Sequence, residues 1–330
     1  MADTVSTTHL EETIARSAAS APLSPLRLGV RRFRKHRMAM LGLGILLLLI
    51  LYVSLGGFLS RGYCEPLGQN VTGEAWANCN DTSLKLNPPS ADHIFGTDVI
   101  GRDILARTIY GGQISILIGI SAAFIEVILG ALVGALAAYY GGWVDSLLMR
   151  FTEAMLNIPS LFLLIIGGRF FGSALPSVNF FGRELTGSVI MMILIIGATS
   201  WMYLARIVRA NVLSLRERDY VSASRALGAS DVRIIFLHLL PNTVAPLVVS
   251  ATLGIANAIL LEAYASFLGL GVQGATATWG NMLDGAYQYL ETAPWLWFFP
   301  GALILLTVLG INFVGDGLRD ALDPYSTKHL

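Results

Sequence analysis

DYVSASRALGASDVRIIFLHLLP, residues 219–241, is a charged stretch between two long apolar runs. Asp219 is suited to cap the start of a short helix, and Gly228 is suited to end that helix in a left-handed conformation. Ser230 or Asp231 can cap a second helix, whose continuation the closing proline restricts. The apolar residues of the second helix follow the spacing of one helix face: Val232, Ile235, Phe236 and Leu239. The stretch therefore predicts two helices joined by a glycine turn, a surface on which another protein can dock.

The composition excludes an ordinary soluble protein. Of the 330 residues, 54% are hydrophobic and only 13% are charged, and the mean hydropathy is +0.64. Such a chain needs a lipid bilayer around it. The formal net charge is zero, so general binding of polyanions such as nucleic acids is not indicated.

Apolar runs long enough to cross the hydrocarbon core recur along the chain. The first, 38–59, follows basic residues and lacks a small-residue cleavage site, so it predicts an anchored helix and not a signal peptide. The other runs are 114–139, 144–167, 185–205, 242–267 and 294–315. The sequence thus predicts an all-α membrane protein with six transmembrane helices, five of which form a core over residues 114–315.

The distribution of basic residues predicts the orientation in the membrane. With six spans and the N-terminus inside, sixteen of the 22 Lys and Arg residues lie on the inner side, six of them between Arg206 and Arg233. The run 144–167 carries charges in its first half, but without it these six arginines would lie outside while the basic N-terminal tail stays inside. We therefore expect a multi-pass protein of the plasma (cell inner) membrane. Its predicted cytoplasmic segments are the tails 1–37 and 316–330 and the loop 206–241.

The predicted external loop, residues 60–113, contains Cys64 and Cys79, the two cysteines of the chain. Disulfides form in oxidising compartments, so this placement favours a bond between them that closes a short loop. Two free thiols are the alternative.

No energy source for transport is visible within the chain. A phosphate-binding loop ends in Gly-Lys-Ser or Gly-Lys-Thr, and Lys35, Lys85 and Lys328 all lack that context. Any ATP chemistry, with its magnesium, must therefore come from partner subunits, and no cofactor is expected in this chain. No spacing matches a metal site, and no nucleophile has a base on its helix face, which disfavours an intramembrane enzyme. His238 is a lone helical histidine, and we assign it no chemistry.

Four segments carry a resemblance to a known family. They are the docking stretch, FGTDVIGRD (95–103), SFLGLG with WGNML (266–271 and 279–283), and NFVGDGLRDALDP (312–324). Over residues 26–324 the chain resembles the membrane permease subunits of ABC importers, in the dipeptide, oligopeptide and nickel transport family. The EAA loop of that family falls on Ser222, Ala223, Ser224, Gly228, Leu240 and Pro241. Ser222 replaces the family's glutamate, which leaves a weaker helix cap and removes one negative charge.

The resemblance implies a type I ABC importer permease fold and a set of partners. These are a homologous permease subunit, two cytoplasmic ATPase subunits that grip residues 219–241, and an extracytoplasmic substrate-binding protein. Short peptides are the commonest cargo of the family, beside nickel chelates, glutathione and oligosaccharides. Specificity in such systems resides largely in the binding protein.

Glu126 and Glu262 are each the single charged residue of a predicted span, and an unpaired charge there costs several kcal/mol. Glu126 and Glu262 are therefore expected to face the helix bundle or water, and both are candidate residues of the transport path. A satisfied hydrogen bond between helices, or a protonated carboxyl, is the alternative for each. A channel or secondary transporter driven by an ion gradient, with these two residues as the relay, is the second functional hypothesis.

Asp98, Arg102 and Asp103 open the segment before the second span. We expect them to form a turn with local ion pairs, because exposed charges mostly form solvated surfaces. A cation site or a contact with the binding protein is the alternative. The glycines near 269–274 suit a flexible external turn.

Overall fold

The computed structural model describes residues 25–59, 61–171, 174–180 and 183–322. Residues 1–24 of the predicted N-terminal tail, and residues 323–330 of the predicted C-terminal tail, lie outside the described residues.

The described chain is mainly helical. Its α-helices are α1 Pro25–Lys35, α2 Arg37–Leu59, α3 Glu74–Ala77, α4 Ile104–Tyr140, α5 Gly142–Leu156, α6 Ser160–Phe171, α7 Gly187–Arg216, α8 Asp219–Ala226, α9 Asp231–Arg233, α10 Val244–Phe267 and α11 Trp295–Leu322. Two antiparallel hairpins pair β1 Arg61–Cys64 with β2 Gln69–Thr72, and β3 Val178–Phe180 with β4 Arg183–Leu185.

Five helices are long and apolar enough to cross a membrane, and α5 with α6 makes a sixth if the bent pair counts as one span. The helices of that pair meet at 73°. Asn157 ends α5, and Pro159 follows before α6 begins, so the break lies where proline disfavours a continuous helix. The stretch predicted as the third span therefore forms two short helices.

Three helices extend beyond the apolar stretches from which the spans are predicted. The loop predicted to end at 113 ends at Asp103, whose carboxylate caps α4 by accepting the Ala106 amide at 2.8 Å. Helix α7 continues through its arginines to Arg216, and α11 continues to Leu322. Apolarity marks the part of a helix within lipid, whereas caps and breaks set where the helix ends.

Small residues let the long helices approach closely, as is common in membranes. Gly134 of α4 lies so near the Ala205 carbonyl of α7 that a side chain there would clash with it. Gly42 of α2 and Gly310 of α11 make a similar contact, in which a Cβ on Gly42 would lie 2.7 Å from the Gly310 carbonyl oxygen. Leucines on the outer face of α2 remain exposed and suit a lipid-facing surface.

The first hairpin forms a small core with the N-terminal end of α4. Cys64 and Cys79 are joined by a disulfide, with their Cα atoms 5.9 Å apart, and both pack with Trp76 against Ala106. The disulfide therefore closes the loop, and the closed loop packs against the first turn of α4.

Removing the disulfide is expected to destabilise this loop by about 3 kcal/mol, because it closes a loop of about 15 residues in the unfolded chain. The measurement is thermal unfolding of the detergent-solubilised chain with and without reductant. The double variant Cys64→Ser, Cys79→Ser should unfold at the reduced midpoint and show no response to reductant. Equal midpoints for the oxidised protein and the double variant would contradict the expectation.

Candidate docking segment and buried carboxylates

The docking segment, residues 219–241, begins with α8 and a glycine turn, as the sequence predicts. Gly228 has φ +81°, and the Ala229 amide donates to the Ser224 carbonyl at 3.1 Å, which closes the helix end. One detail differs: Arg218, and not Asp219, occupies the N-cap position. Asp219 lies in the first turn, where a negative charge still favours the helix dipole.

The second half of the docking segment differs from the prediction. Ser230 caps α9, but Ile234–Leu239 then form a π-helical turn and Leu240–Thr243 a 3-10 turn that leads directly into α10. Proline is tolerated in the first turn of a helical stretch, where its missing N–H is not needed. The helical path therefore continues past Pro241. The docking segment is thus continuous with a membrane-spanning helix.

The π turn changes which apolar residues are buried. Ile234, Ile235 and Leu239 pack inward, whereas Val232 and Phe236, which the helical spacing placed on the same face, are exposed. A π turn adds about one residue to each turn, so the 3 and 4 spacing groups Val232 and Phe236 wrongly with the buried Ile235 and Leu239.

Polar contacts fix the docking segment on the C-terminal end of α4. The Tyr139 hydroxyl donates to Asp231 Oδ1 at 2.6 Å, and the Arg225 guanidinium lies 5.6 Å from the centre of the Tyr139 ring. Arg216 Nη1 donates to the Ala138 carbonyl at 2.6 Å. The segment is therefore held by α4 and α7 as well as by its own continuation into α10.

An apolar surface faces outward from the docking segment. Leu227, immediately before Gly228, is 88% exposed. The other exposed large apolar residues of the segment are Tyr220, Val232, Phe236 and Leu237, which are 41% to 66% exposed. Exposed apolar groups clustered on one segment mark an interaction site. In the sequence, Leu227 indicates only that a short helix is favoured. An apolar residue beside the glycine that ends a helix was the signal of its exposure.

The other residues of the segment that match the family motif differ in their exposure. Ser222 and Ala223 are exposed, and Ser224 donates to the Tyr220 carbonyl at 2.8 Å. Leu240 is half-buried and Pro241 exposed. His238 lies on the same segment with its ring 6.4 Å from that of Tyr220.

Glu262 lies at the centre of a buried hydrogen-bond network. Its carboxylate accepts from Ser266 Oγ at 2.7 Å and from Ser115 Oγ of α4 at 3.2 Å, and the residue has no exposed surface. Ser115 Oγ accepts the Trp279 amide at 3.1 Å, and the Trp279 indole donates to the Thr108 carbonyl. Glu262 thus joins two of the motifs found in the sequence to α4.

Glu126 has a different environment. It is 8% exposed and its carboxylate lies over Gly254 of α10, where an added Cβ would come within 2.5 Å of Oε2. Within the described residues, no hydrogen bond or ion pair reaches this carboxylate. Gly254 and Glu262 are separated by about 12 Å along α10, at 1.5 Å per residue, so the two carboxylates lie at different depths.

The turn before α4 is buried, which corrects the expectation of exposed charges. Asp98 Oδ2 lies 2.6 Å from Arg102 Nε, so the expected local ion pair is present. Asp103 instead accepts from His93 Nδ1 at 2.8 Å while it caps α4, and both residues are buried. No group of three or more possible metal ligands occurs in the described part of the chain.

The His93–Asp103 pair predicts a pH dependence of stability. The hydrogen bond to Asp103 raises the pKa of His93, against the effect of burial, and the charges of Asp92 and Asp81 add to the rise. Because the pKa of His93 is higher in the folded state than its value of about 6.5 in the unfolded state, the protonated histidine stabilises the fold. This stabilisation is complete below about pH 6.5 and is lost as the pH rises through the pKa of the folded state.

Between about pH 6 and pH 9, the unfolding midpoint is therefore expected to fall more for the native chain than for His93→Asn. The matched control is His238→Asn, which removes a histidine at the other end of the molecule and should keep the native pH profile. A native profile in the His93→Asn chain would show that the pair is not the cause.

Comparison with known proteins places these features in one family. Residues 127–327 match the binding-protein-dependent transport system inner membrane component family, and residues 24–75 match the N-terminal membrane domain of oligopeptide transport permease C. A putative peptide permease of Brucella suis biovar 1 is 39% identical over 310 residues, 92% of each chain. The dipeptide transport permease DppC of Alkalihalophilus pseudofirmus is 39% identical over 302 residues, 92% of this chain and 90% of that protein.

One solved structure shows the same fold. The inward-facing MetNI methionine ABC transporter aligns with a TM-score of 0.50 and 20% sequence identity, over 64% of this chain and 94% of its own. The predicted ABC importer permease fold is thereby confirmed.

Proposed function

The chain belongs to the family of binding-protein-dependent transport system inner membrane components, and from this premise we propose that it is the permease subunit of an ATP-driven importer of short peptides. The peptide cargo is supported by relatives that carry peptide or dipeptide permease names over more than nine-tenths of this chain. ATP hydrolysis belongs to partner subunits in this proposal. A homologous permease would complete the path, and an extracytoplasmic binding protein would deliver the peptide.

The observation that carries the coupling mechanism is the continuity of the docking segment with α10. From α9 onward, a force on the docking segment passes through the π turn and the 3-10 turn into a membrane-spanning helix without an intervening loop. The hydrogen bond of Asp231 with Tyr139 transmits the same displacement to α4, and the hydrogen bond from Arg216 to Ala138 joins α7 to α4 at the same end. Closure of two ATPase subunits would therefore shift α4 and α10 together and change the side on which the path opens.

The ion-driven alternative rests mainly on Glu126. Glu262 is held by two serine hydroxyls, and the two carboxylates lie at different depths, so they do not form one relay site. Glu126 is buried and unpaired among the described residues, which is the arrangement that a single proton-binding group would have. ATP dependence of uptake separates the two functions.

Coupling requires the docking segment to lie on the cytoplasmic side, where the predicted topology also places both termini. A cysteine at Arg218 (Arg218→Cys) in intact cells should not react with a membrane-impermeant thiol reagent and should react once the membrane is opened. The control Ala91→Cys, on the predicted external loop, should react in both conditions. The native cysteines do not interfere because they are joined as a disulfide. Reaction of Arg218→Cys in intact cells would overturn the proposal.

Capture of the ATPase subunits tests the function directly. The tagged chain, purified from its own membranes in mild detergent, should bring ATPase subunits with it, and reconstituted uptake of a dipeptide should need both ATP and the binding protein. Uptake by the chain alone, indifferent to ATP, would overturn the importer and support the ion-driven alternative.

A further inference from the structure

A cavity of about 210 Å³ lies at the N-terminal end of α4, at the opposite end of that helix from the docking segment. The turn at Asp98–Arg107 forms one side, and the loop that contains Asp284 and Tyr289 forms the other. Helix α4 has 37 residues, about 55 Å at 1.5 Å per residue, whereas the hydrocarbon core is about 30 Å thick. Helix α4 is therefore long enough to place the cavity outside the hydrocarbon core, on the side of the disulfide-bonded loop.

Arg107 is the unusual residue of this cavity. It is only 4% exposed, and its Nη1 has no hydrogen-bond partner among the described residues. Its nearest acidic group is Asp98, whose Oδ2 is 3.9 Å from Arg107 Nε. A buried guanidinium without a close partner is costly, because burial removes the water that would otherwise solvate it.

Asp98 balances the charge of Arg107 only in part, because Arg102 shares the same carboxylate and lies closer to it. Its Oδ2 lies 2.6 Å from Arg102 Nε, and its Oδ1 accepts the backbone amides of Ile100 and Arg102 at 3.0 and 2.9 Å. The positive charge of Arg107 is therefore available to an anionic group that enters the cavity.

The other side of the cavity carries a negative charge. Asp284 is exposed and lines it, and Asp98 adds a second carboxylate on the side of Arg102 and Arg107. Two carboxylates disfavour a multiply charged anion such as a phosphate. A molecule with a carboxylate at one end and an ammonium group at the other matches both sides, and the fork of an arginine suits a carboxylate.

We propose that this cavity is a peptide site on the permease itself, in which Arg107 binds the C-terminal carboxylate of a short peptide and Asp284 attracts its amino terminus. The proposal rests on the proposed function for the class of ligand. The cavity is smaller than the roughly 300–1,000 Å³ of drug-sized sites, which favours a ligand of one or two small residues. Such a site would hold a peptide near the entrance after its release from the binding protein.

The test uses the whole transporter in lipid nanodiscs, without the binding protein, and radiolabelled dialanine as the probe. We expect saturable binding that Arg107→Gln weakens at least tenfold. Dialanine amide, which lacks the carboxylate, should compete at least tenfold less well than dialanine. The matched control is Arg183→Gln, a half-buried arginine on the same side whose guanidinium already contacts Tyr110 and Glu74, and it should leave binding unchanged.

A second variant keeps the test decisive if Arg107→Gln fails to fold. Asp284→Asn changes an exposed side chain, and it should weaken dialanine binding about threefold to tenfold while leaving N-acetyl-dialanine unaffected. Three results would overturn the proposal. The first is that dialanine does not bind to a transporter that still performs ATP-driven uptake, and the second is that dialanine and its amide bind equally well. The third is that Arg107→Gln weakens the binding of the binding protein to the transporter and leaves dialanine binding unchanged. Failure of the proposed function is seen separately, as the absence of copurified ATPase subunits.

Discussion

Leu227→Asp is expected to abolish capture of the ATPase subunits while the permease stays folded and in the membrane. Leu227 is 88% exposed at the tip of the turn between α8 and α9, so the folded chain gains little from it alone. Burying a leucine in an interface contributes about 1.5–3 kcal/mol, and burying an unpaired carboxylate there costs more. A loss of about 3 kcal/mol or more corresponds to binding at least roughly a hundredfold weaker.

The chain offers a closely matched control for this substitution. Leu268 also occupies the C-cap position of a helix, and the glycine after it, Gly269, is also left-handed with φ +70°. It lies at the other end of α10 from the docking segment. Leu268→Asp should therefore leave ATPase capture unchanged, and Leu227→Met should retain most of it. Normal capture by Leu227→Asp would show that the exposed apolar surface is not where the ATPase binds.

The order of the helices and the place of the docking segment could be predicted because each depends on a local signal. Long apolar runs locate the spans, and Gly228 locates the turn at the end of α8. The same reasoning placed Cys64 and Cys79 together in one loop, and the structure joins them.

Features that depend on tertiary contacts could not be predicted from those signals. The π turn at Ile234–Leu239 changes the buried face, and no residue type announces it. Asp103 was read as a surface charge, yet it is buried because His93, ten residues earlier, folds back onto it. The buried role of Arg107 depends on a loop more than 170 residues away in sequence.

Glu262→Ala is expected to destabilise the permease by about 2–4 kcal/mol. The substitution leaves the Ser115 and Ser266 hydroxyls without their acceptor and opens a cavity between α4 and α10. Hydrogen bonds between membrane helices are worth only about 0.6–1.7 kcal/mol each, so the cavity supplies a large part of the loss. The measurement is thermal unfolding in detergent followed by tryptophan fluorescence, since Trp279 shares the network through Ser115.

Glu262→Gln distinguishes this structural role from a proton or cation relay. Glutamine has nearly the same volume. It keeps one acceptor oxygen for one serine hydroxyl, and its amide nitrogen can donate to the oxygen of the other serine. The unfolding free energy should therefore change by less than about 1 kcal/mol, and ATP-driven uptake should persist. Glu126→Gln is the matched control, because that carboxylate has no partner among the described residues and its replacement should be neutral or stabilising. A Glu262→Gln chain that folds normally but no longer transports would contradict the structural role, because a relay needs the ionisable proton and the network does not.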